Sequence, residues 1–89
     1  MNESSLMDSS MTKVVKNMIA GAYKYKNSKE DRTAYITDCL MESFPTIRWG
    51  VIIYDKGHGY SNFQNFETNY YYLCELEGSF NIIIGFNKN

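Results

Sequence analysis

The stretch Asn69-Tyr-Tyr-Tyr-Leu-Cys-Glu-Leu-Glu-Gly-Ser-Phe-Asn-Ile-Ile-Ile-Gly-Phe86 decides the fold of this 89-residue chain. Its apolar residues alternate with a period of two, and β-branched and aromatic residues are frequent, which is typical of strands. We predict strands at 69–77 and 80–86, joined into a hairpin through Gly78-Ser79. One face of the first strand carries Tyr70, Tyr72, Cys74 and Leu76, and the other carries Tyr71, Leu73, Glu75 and Glu77.

Two further extended segments precede this hairpin. Trp49–Tyr54 is apolar on both faces, which predicts a strand that is central or covered on both sides. Tyr60–Phe66 is extended but mostly polar and has little to bury within its own chain. We therefore expect the second segment to contact a partner.

The first half of the chain predicts two helices. After a tail at 1–10 that we expect to be disordered, apolar residues recur with helical spacing at Met11, Val14, Val15, Met18, Ile19 and Ala22. Asp8, Ser9 or Ser10 is positioned to cap this helix. Ser28–Asp31 fits a capping box for a second helix, which Pro45 ends. The apolar face of that helix comprises Tyr35, Ile36, Cys39, Leu40 and Phe44.

Helices followed by strands indicate an α+β domain, here with two N-terminal helices packed on an antiparallel sheet. The domain spans residues 11–89. A formal net charge of −1 argues against a nucleic-acid binder. With two cysteines, no signal segment and no membrane-spanning run, we expect a cytosolic protein with reduced thiols that does not enter membranes. The high tyrosine content, eight residues, favours a binding surface.

Catalytic and metal-binding motifs are weak. His58 is the single histidine, and no serine or cysteine nucleophile lies in a recognisable motif with it. A metal site needs more ligands than His58, Asp55 and two distant cysteines provide. Glu75 and Glu77 share a strand face, which fits a solvated surface better than a carboxylate pair. We therefore predict no catalytic residue, no metal and no cofactor.

The order of elements, with its accompanying residues, resembles the eight-kilodalton class of dynein light chains over residues 11–89. The resemblance is carried by Tyr23, Lys29-Glu30-Asp31, Ala34, Ile36, Pro45-Thr46, Trp49, Ile52, Glu67-Thr68, the tyrosine-rich strand, Gly78, Ile83 and Phe86-Asn87-Lys88. It implies a homodimer in which each subunit lends one strand, here Tyr60–Phe66, to its partner's sheet. Two grooves would then each bind an extended peptide as an added strand.

The resemblance also implies site residues. The peptide-binding set would be Lys29, Glu30, Asn62, Phe63, Gln64, Asn65, Phe66, Glu67, Thr68, Leu73 and Glu75, and the dimer interface would include Tyr60, Ser61, Phe63 and Phe66. This chain departs from the family where Lys29 and Glu30 exchange two charges, where Leu73 and Glu75 replace groove tyrosines, and where Gly50 replaces an interface histidine. The usual peptide preference of the family therefore does not carry over.

The function that the resemblance implies is that of a non-catalytic dimeric hub, a dynein light chain component that binds extended partner segments by β-strand addition. Its partners would be a dynein intermediate chain or other disordered peptides, in the cytoplasm and on the cytoskeleton. One alternative is a structural subunit of an axonemal dynein arm. Another is a small enzyme that uses His58.

Overall fold

A computed structural model describes residues 3–55 and 68–88 of the chain and places two helices against one face of an antiparallel sheet. The elements, in chain order, are β1 (Glu3–Ser5), α1 (Ser9–Tyr25), α2 (Lys29–Ser43), β2 (Ile47–Asp55), β3 (Tyr70–Leu76) and β4 (Ser79–Asn87). The strands lie side by side in the order β1-β3-β4-β2. The predicted α+β class, with both helices packed on the sheet, is confirmed.

The N-terminal segment differs from the predicted disordered tail. Residues 3–5 pair with β3, with Ser4 opposite Leu73. The amide of Leu6 extends this pairing by donating to the carbonyl of Tyr71 at 2.9 Å. Asp8 then caps α1 by accepting from the amide of Met11 at 2.7 Å. The prediction for 3–10 was wrong because a three-residue edge strand is held by main-chain hydrogen bonds, which leave no apolar periodicity in the sequence.

Helix α1 buries Val15, Met18, Ile19 and Ala22, as its apolar spacing predicted. Val14 belongs to the same sequence pattern but lies at the edge of the buried stripe and is 39% exposed.

Helix α2 begins and ends where its sequence signals predicted. The hydroxyl oxygen of Ser28 accepts from the amide of Asp31 at 3.1 Å, and the helix ends at Ser43, two residues before Pro45. Ile36 and Leu40 are fully buried, whereas Cys39 is only half-buried. Tyr35, Cys39 and Phe44 are partly buried and pack against the same core, so the predicted apolar face of α2 is confirmed.

A two-residue turn joins β3 to β4. Leu76 pairs with Ser79, and the turn residues Glu77 and Gly78 have φ angles of 50° and 78°. Positive φ at both central residues is the backbone geometry of the tight turns that match strand twist. The hairpin is confirmed, with its turn one residue earlier than the predicted Gly78-Ser79.

The sheet divides its side chains between two faces. The face against the helices carries Trp49, Val51 and Ile53 of β2, Tyr72, Cys74 and Leu76 of β3, and Ile83 of β4. These residues form one core with the buried residues of both helices. Strand β2, predicted to be central or covered on both sides, is the last strand of the sheet that the structure describes.

Candidate interaction surfaces

The outer edge of β2 is the first candidate surface. This strand is nine residues long and pairs along its whole length with β4, from Ile47 opposite Asn87 to Asp55 opposite Ser79. Within residues 3–55 and 68–88, no strand pairs with its other side. A long terminal strand can add another extended chain through main-chain hydrogen bonds.

A polar cluster joins the start of α2 to the end of β2. The ammonium of Lys29, the first residue of α2, lies 3.4 Å from Oδ2 of Asp55, the last residue of β2. The hydroxyl of Ser79 donates to Oδ1 of the same carboxylate at 3.2 Å. Both side chains of the ion pair are nearly half exposed, so its contribution to stability is small. The contact joins the first residue of α2 to the last residue of β2.

Lys29 and Glu30, the two residues whose charges are exchanged relative to the dynein light chain pattern, have different surroundings in the structure. Lys29 contacts a carboxylate of its own chain, whereas Glu30 is exposed in the first turn of α2. Among the described residues, the carboxylate of Glu30 forms no hydrogen bond or ion pair. A peptide that reaches this corner would therefore encounter an available carboxylate next to an ammonium that already has a partner.

The sheet face that points away from the helices is the second candidate surface, and it is largely apolar. Three rows cross it from β2 through β4 to β3: Gly50, Ile84 and Tyr71; Ile52, Ile82 and Leu73; Tyr54, Phe80 and Glu75. Side chains alternate between the faces of a strand, so these residues lie opposite the core described above. No described helix covers this face. We call this set the helix-free face.

A single chain does not bring the predicted peptide-binding residues together. Lys29 and Glu30 lie at the α2 corner, whereas Leu73 and Glu75 lie on the helix-free face of β3, with β4 between them and β2. The hydroxyl of Thr68 is 2.6 Å from the carbonyl oxygen of Gly85, so it is bonded to its own sheet. The remaining predicted residues, Tyr60 to Glu67, lie outside the residues that the structure describes.

Sequence reasoning missed Asp55 and Ser79 as parts of the α2 corner. Asp55 was assigned to a turn-rich connection, and Ser79 to the hairpin turn. Asp55 contacts Lys29, which is 26 positions away in the chain, and Ser79, which is 24 positions away. Because an ion pair between distant positions has no local signature, no motif in one sequence would have indicated it.

Other kinds of site have little support in the described part of the chain. No group of three or more histidine, cysteine, aspartate or glutamate side chains there is arranged to hold a metal ion. Neither α1 nor α2 has the length and hydropathy that a membrane-spanning helix requires.

Comparison of the chain with protein-family models and with curated proteins finds no match. The resemblance to dynein light chains therefore stays a prediction.

Proposed function

We propose that the protein is a non-catalytic, dimeric peptide-binding module of the dynein light chain type, which binds extended partner segments as added β-strands. The observation that carries this proposal is the position of β2. It is a nine-residue strand that closes the described sheet, with β4 on one side and α2 packed nearby. The strand supplies sequence-independent hydrogen bonds, and the adjoining helix supplies a wall that can select side chains.

The helix-free face supports the dimeric part of the proposal. Ile52, Ile82 and Leu73 form an apolar row across three strands on a face that neither helix covers. Within the single chain Ile82 is already buried, whereas Ile52, Leu73 and Ile84 are half-buried and keep part of their surface accessible. A second copy presenting the same face would bury this remaining apolar surface through a two-fold interface in which each subunit contributes identical residues.

The dimer would also complete the peptide site. Leu73 and Glu75 face away from α2 in their own subunit, so they can line a groove beside α2 only if that helix belongs to the other subunit. Two such grooves in one dimer would hold two copies of a partner segment and would strengthen weak single contacts by avidity. By its resemblance, the partner would be a dynein intermediate chain or another disordered cytoskeletal protein.

Sedimentation analysis tests the dimer directly. We expect the wild-type protein to be a dimer at micromolar concentration and Ile84→Glu, on the helix-free face, to be a monomer. Met41→Glu is the matched control, because Met41 is 59% exposed on α2 and lies outside the proposed interface. A folded wild-type monomer at high micromolar concentration would contradict the proposal. Pull-down from native lysate with wild type and Ile84→Glu, followed by mapping of the bound segment, tests peptide binding.

A further inference from the structure

One end of the sheet carries an arginine whose charge has no partner in the described part of the chain. Arg48, near the start of β2, is exposed and lies opposite Phe86 of β4. Within residues 3–55 and 68–88, its guanidinium forms no hydrogen bond or ion pair. A guanidinium presents its N–H donors in a fixed planar fork. It can therefore bind a planar oxyanion through a pair of parallel hydrogen bonds.

A cavity of about 510 Å³ opens beside this arginine. Its described lining residues are Arg48, Asn69, Phe86 and Asn87. The side-chain oxygen of Asn69 accepts from the main-chain amide of Asn87 at 2.9 Å, so the other end of that side-chain amide, a nitrogen donor, can face a ligand. Phe86 is 38% exposed. The cavity therefore combines a cation, side-chain amides and an accessible aromatic ring.

The lining of this cavity is positively charged. None of its described lining residues carries a carboxylate. Asp55 lies at the opposite end of β2, about 23 Å from Arg48 in an extended strand. Lys88 adds a second cation near the start of β2, where its ammonium donates to the carbonyl oxygen of Pro45 at 3.0 Å. The ammonium of Lys88 thus already has an acceptor, whereas the donors of Arg48 are available.

We propose that this cavity binds a carboxylate that is carried next to an aromatic or large aliphatic group. The guanidinium of Arg48 pairs with the carboxylate oxygens, and the ring of Phe86 packs against the apolar group. A single available guanidinium matches the single charge of a carboxylate better than the charge of a phosphate group, which is about −1.5 to −2 at neutral pH. One such cation on a chain with a formal net charge of −1 is too little for binding along a nucleic-acid backbone.

A polypeptide can supply this ligand through its C-terminal residue or through an acidic side chain beside an apolar one. Both sources present the same chemistry to Arg48. The cavity lies one row beyond the helix-free face, past Gly50 and Ile84, and requires no main-chain group of β2. The proposal is therefore independent of strand addition and of the dimer.

Titration of the full-length protein, followed by heteronuclear NMR, tests the site with N-acetylphenylalanine as the probe. We expect the shift changes to concentrate at Arg48, Asn69 and Asn87. N-acetylphenylalanine amide lacks the charge and acetate lacks the ring, so both should bind more weakly. Tighter binding of the probe than of an amidated phenylalanine-glutamate dipeptide identifies a C-terminal carboxylate as the source, and the reverse order identifies an acidic side chain.

Substitutions separate the roles of the two main groups. Arg48→Gln should weaken binding of the probe about fivefold, and Arg48→Lys should retain only part of the affinity because an ammonium lacks the planar fork. Phe86→Ala should weaken binding of the probe but leave the affinity for acetate unchanged. Lys13→Gln is the matched control, because it removes an exposed cation from α1, and it should change the affinity less than about twofold.

Three results would overturn the proposal. One is the absence of shift changes at Arg48 and its neighbours in the wild type. Another is equal weakening by Arg48→Gln and Lys13→Gln, which would show general attraction of anions without a site. The third is binding of inorganic phosphate at the cavity as tight as that of N-acetylphenylalanine. Circular dichroism of each variant verifies that the sheet remains folded.

Discussion

The hydroxyl of Tyr23 donates a 2.7 Å hydrogen bond to the side-chain oxygen of Asn81, which is 1% exposed at the centre of the sheet. The Asn81 amide nitrogen in turn lies 3.5 Å from the carbonyl oxygen of Cys74. This contact connects α1 to β4 through the core. Arg32 of α2 packs on the same tyrosine: its guanidinium carbon lies 4.0 Å from the centre of the Tyr23 ring.

Removal of this hydroxyl should destabilise the fold. We expect Tyr23→Phe to lower the free energy of unfolding by about 1–3 kcal/mol, because it leaves a buried amide oxygen without its donor. Chemical denaturation measures the change. The control is Tyr25→Phe, in which the same atom is removed from a side chain that is 64% exposed. Equal effects of the two substitutions would show that the Asn81 contact adds nothing.

From the geometry of the β3–β4 turn we predict that one substitution destabilises the protein and another stabilises it. Glu77 has φ 50° and Gly78 has φ 78°, and a Cβ added to Gly78 would meet no atom within 4 Å. Gly78→Ala should therefore cost about 1–2 kcal/mol through backbone strain alone. Glu77→Asn should stabilise the hairpin by about 0.5–1 kcal/mol, because asparagine tolerates this conformation better.

Glu77→Gln is the control for the turn, because it removes the charge but keeps a side chain for which a positive φ angle is equally unfavourable. We expect no measurable change in thermal midpoint for this variant. A gain from Glu77→Gln as large as that from Glu77→Asn would mean that charge, and not backbone conformation, limits the stability of the turn.

The two cysteines should differ in reactivity. Cys74 is 3% exposed in the core, whereas Cys39 is half-buried between α1 and α2. Burial raises the pKa of the Cys39 thiol, and the carboxylates of Glu42 and Asp38 raise it further. Because the thiolate is the reactive form, we expect Cys39 to be labelled before Cys74 but more slowly than an exposed thiol at the same pH.

The sign of this pKa shift can be tested by substitution. Glu42→Gln should lower the pKa of Cys39 and speed its labelling at pH 8, whereas Glu30→Gln, at the far end of α2, should not. Mass spectrometry after timed exposure to a thiol reagent resolves the two sites. Faster labelling of Cys74 than of Cys39 in the native protein would contradict the assignment of the two sheet faces.

Local features of the sequence were predictable, and distant contacts were not. The hairpin and both helix caps follow from residues within a few positions of one another, so periodicity and capping rules were sufficient. The order of the strands, which places β2 last, depends on pairings between segments that are far apart in the chain. Tyr23 bonded to Asn81, and Lys29 paired with Asp55, are likewise contacts between distant positions. One sequence contains no record of such pairs.

For the candidate site, too, local features could be predicted from the sequence and contacts between distant positions could not. The exposed position of Glu30 follows from its place in the first turn of a capped helix. The separation of Leu73 from the α2 corner does not follow from sequence, because it depends on β4 lying between β2 and β3. The groove predicted from the sequence already belonged to a strand-swapped dimer, and it stays a prediction; the structure shows that Leu73 and the α2 corner do not meet within one chain.

Peptide selectivity should depend on Glu75 and on the dimer together. Relative to the family pattern, the proposed groove would have a carboxylate at Glu75 and an apolar side chain at Leu73 in place of two tyrosine hydroxyls. Loss of a matched hydrogen bond costs about 1 kcal/mol, and an exposed ion pair contributes about 0.2–1 kcal/mol. We therefore expect weak binding of a threonine-glutamine-threonine peptide and tighter binding of a peptide with lysine or arginine opposite Glu75.

Titration of both peptides against wild type and Glu75→Gln measures this preference. The Ile84→Glu variant, which we expect to be monomeric, provides the decisive comparison. In the dimer, Glu75→Gln should lower the affinity for the basic peptide by up to about fivefold and leave the affinity for the threonine-glutamine-threonine peptide unchanged. In Ile84→Glu the same substitution should have no effect, because Glu75 reaches a groove beside α2 only across the subunit interface. If Glu75→Gln weakens the basic peptide equally in dimer and monomer, the carboxylate contacts the peptide within one chain, and the two-chain groove is wrong. If the threonine-glutamine-threonine peptide binds as tightly as the basic one, and Glu75→Gln changes neither, the selectivity argument fails while the dimer remains to be judged by sedimentation.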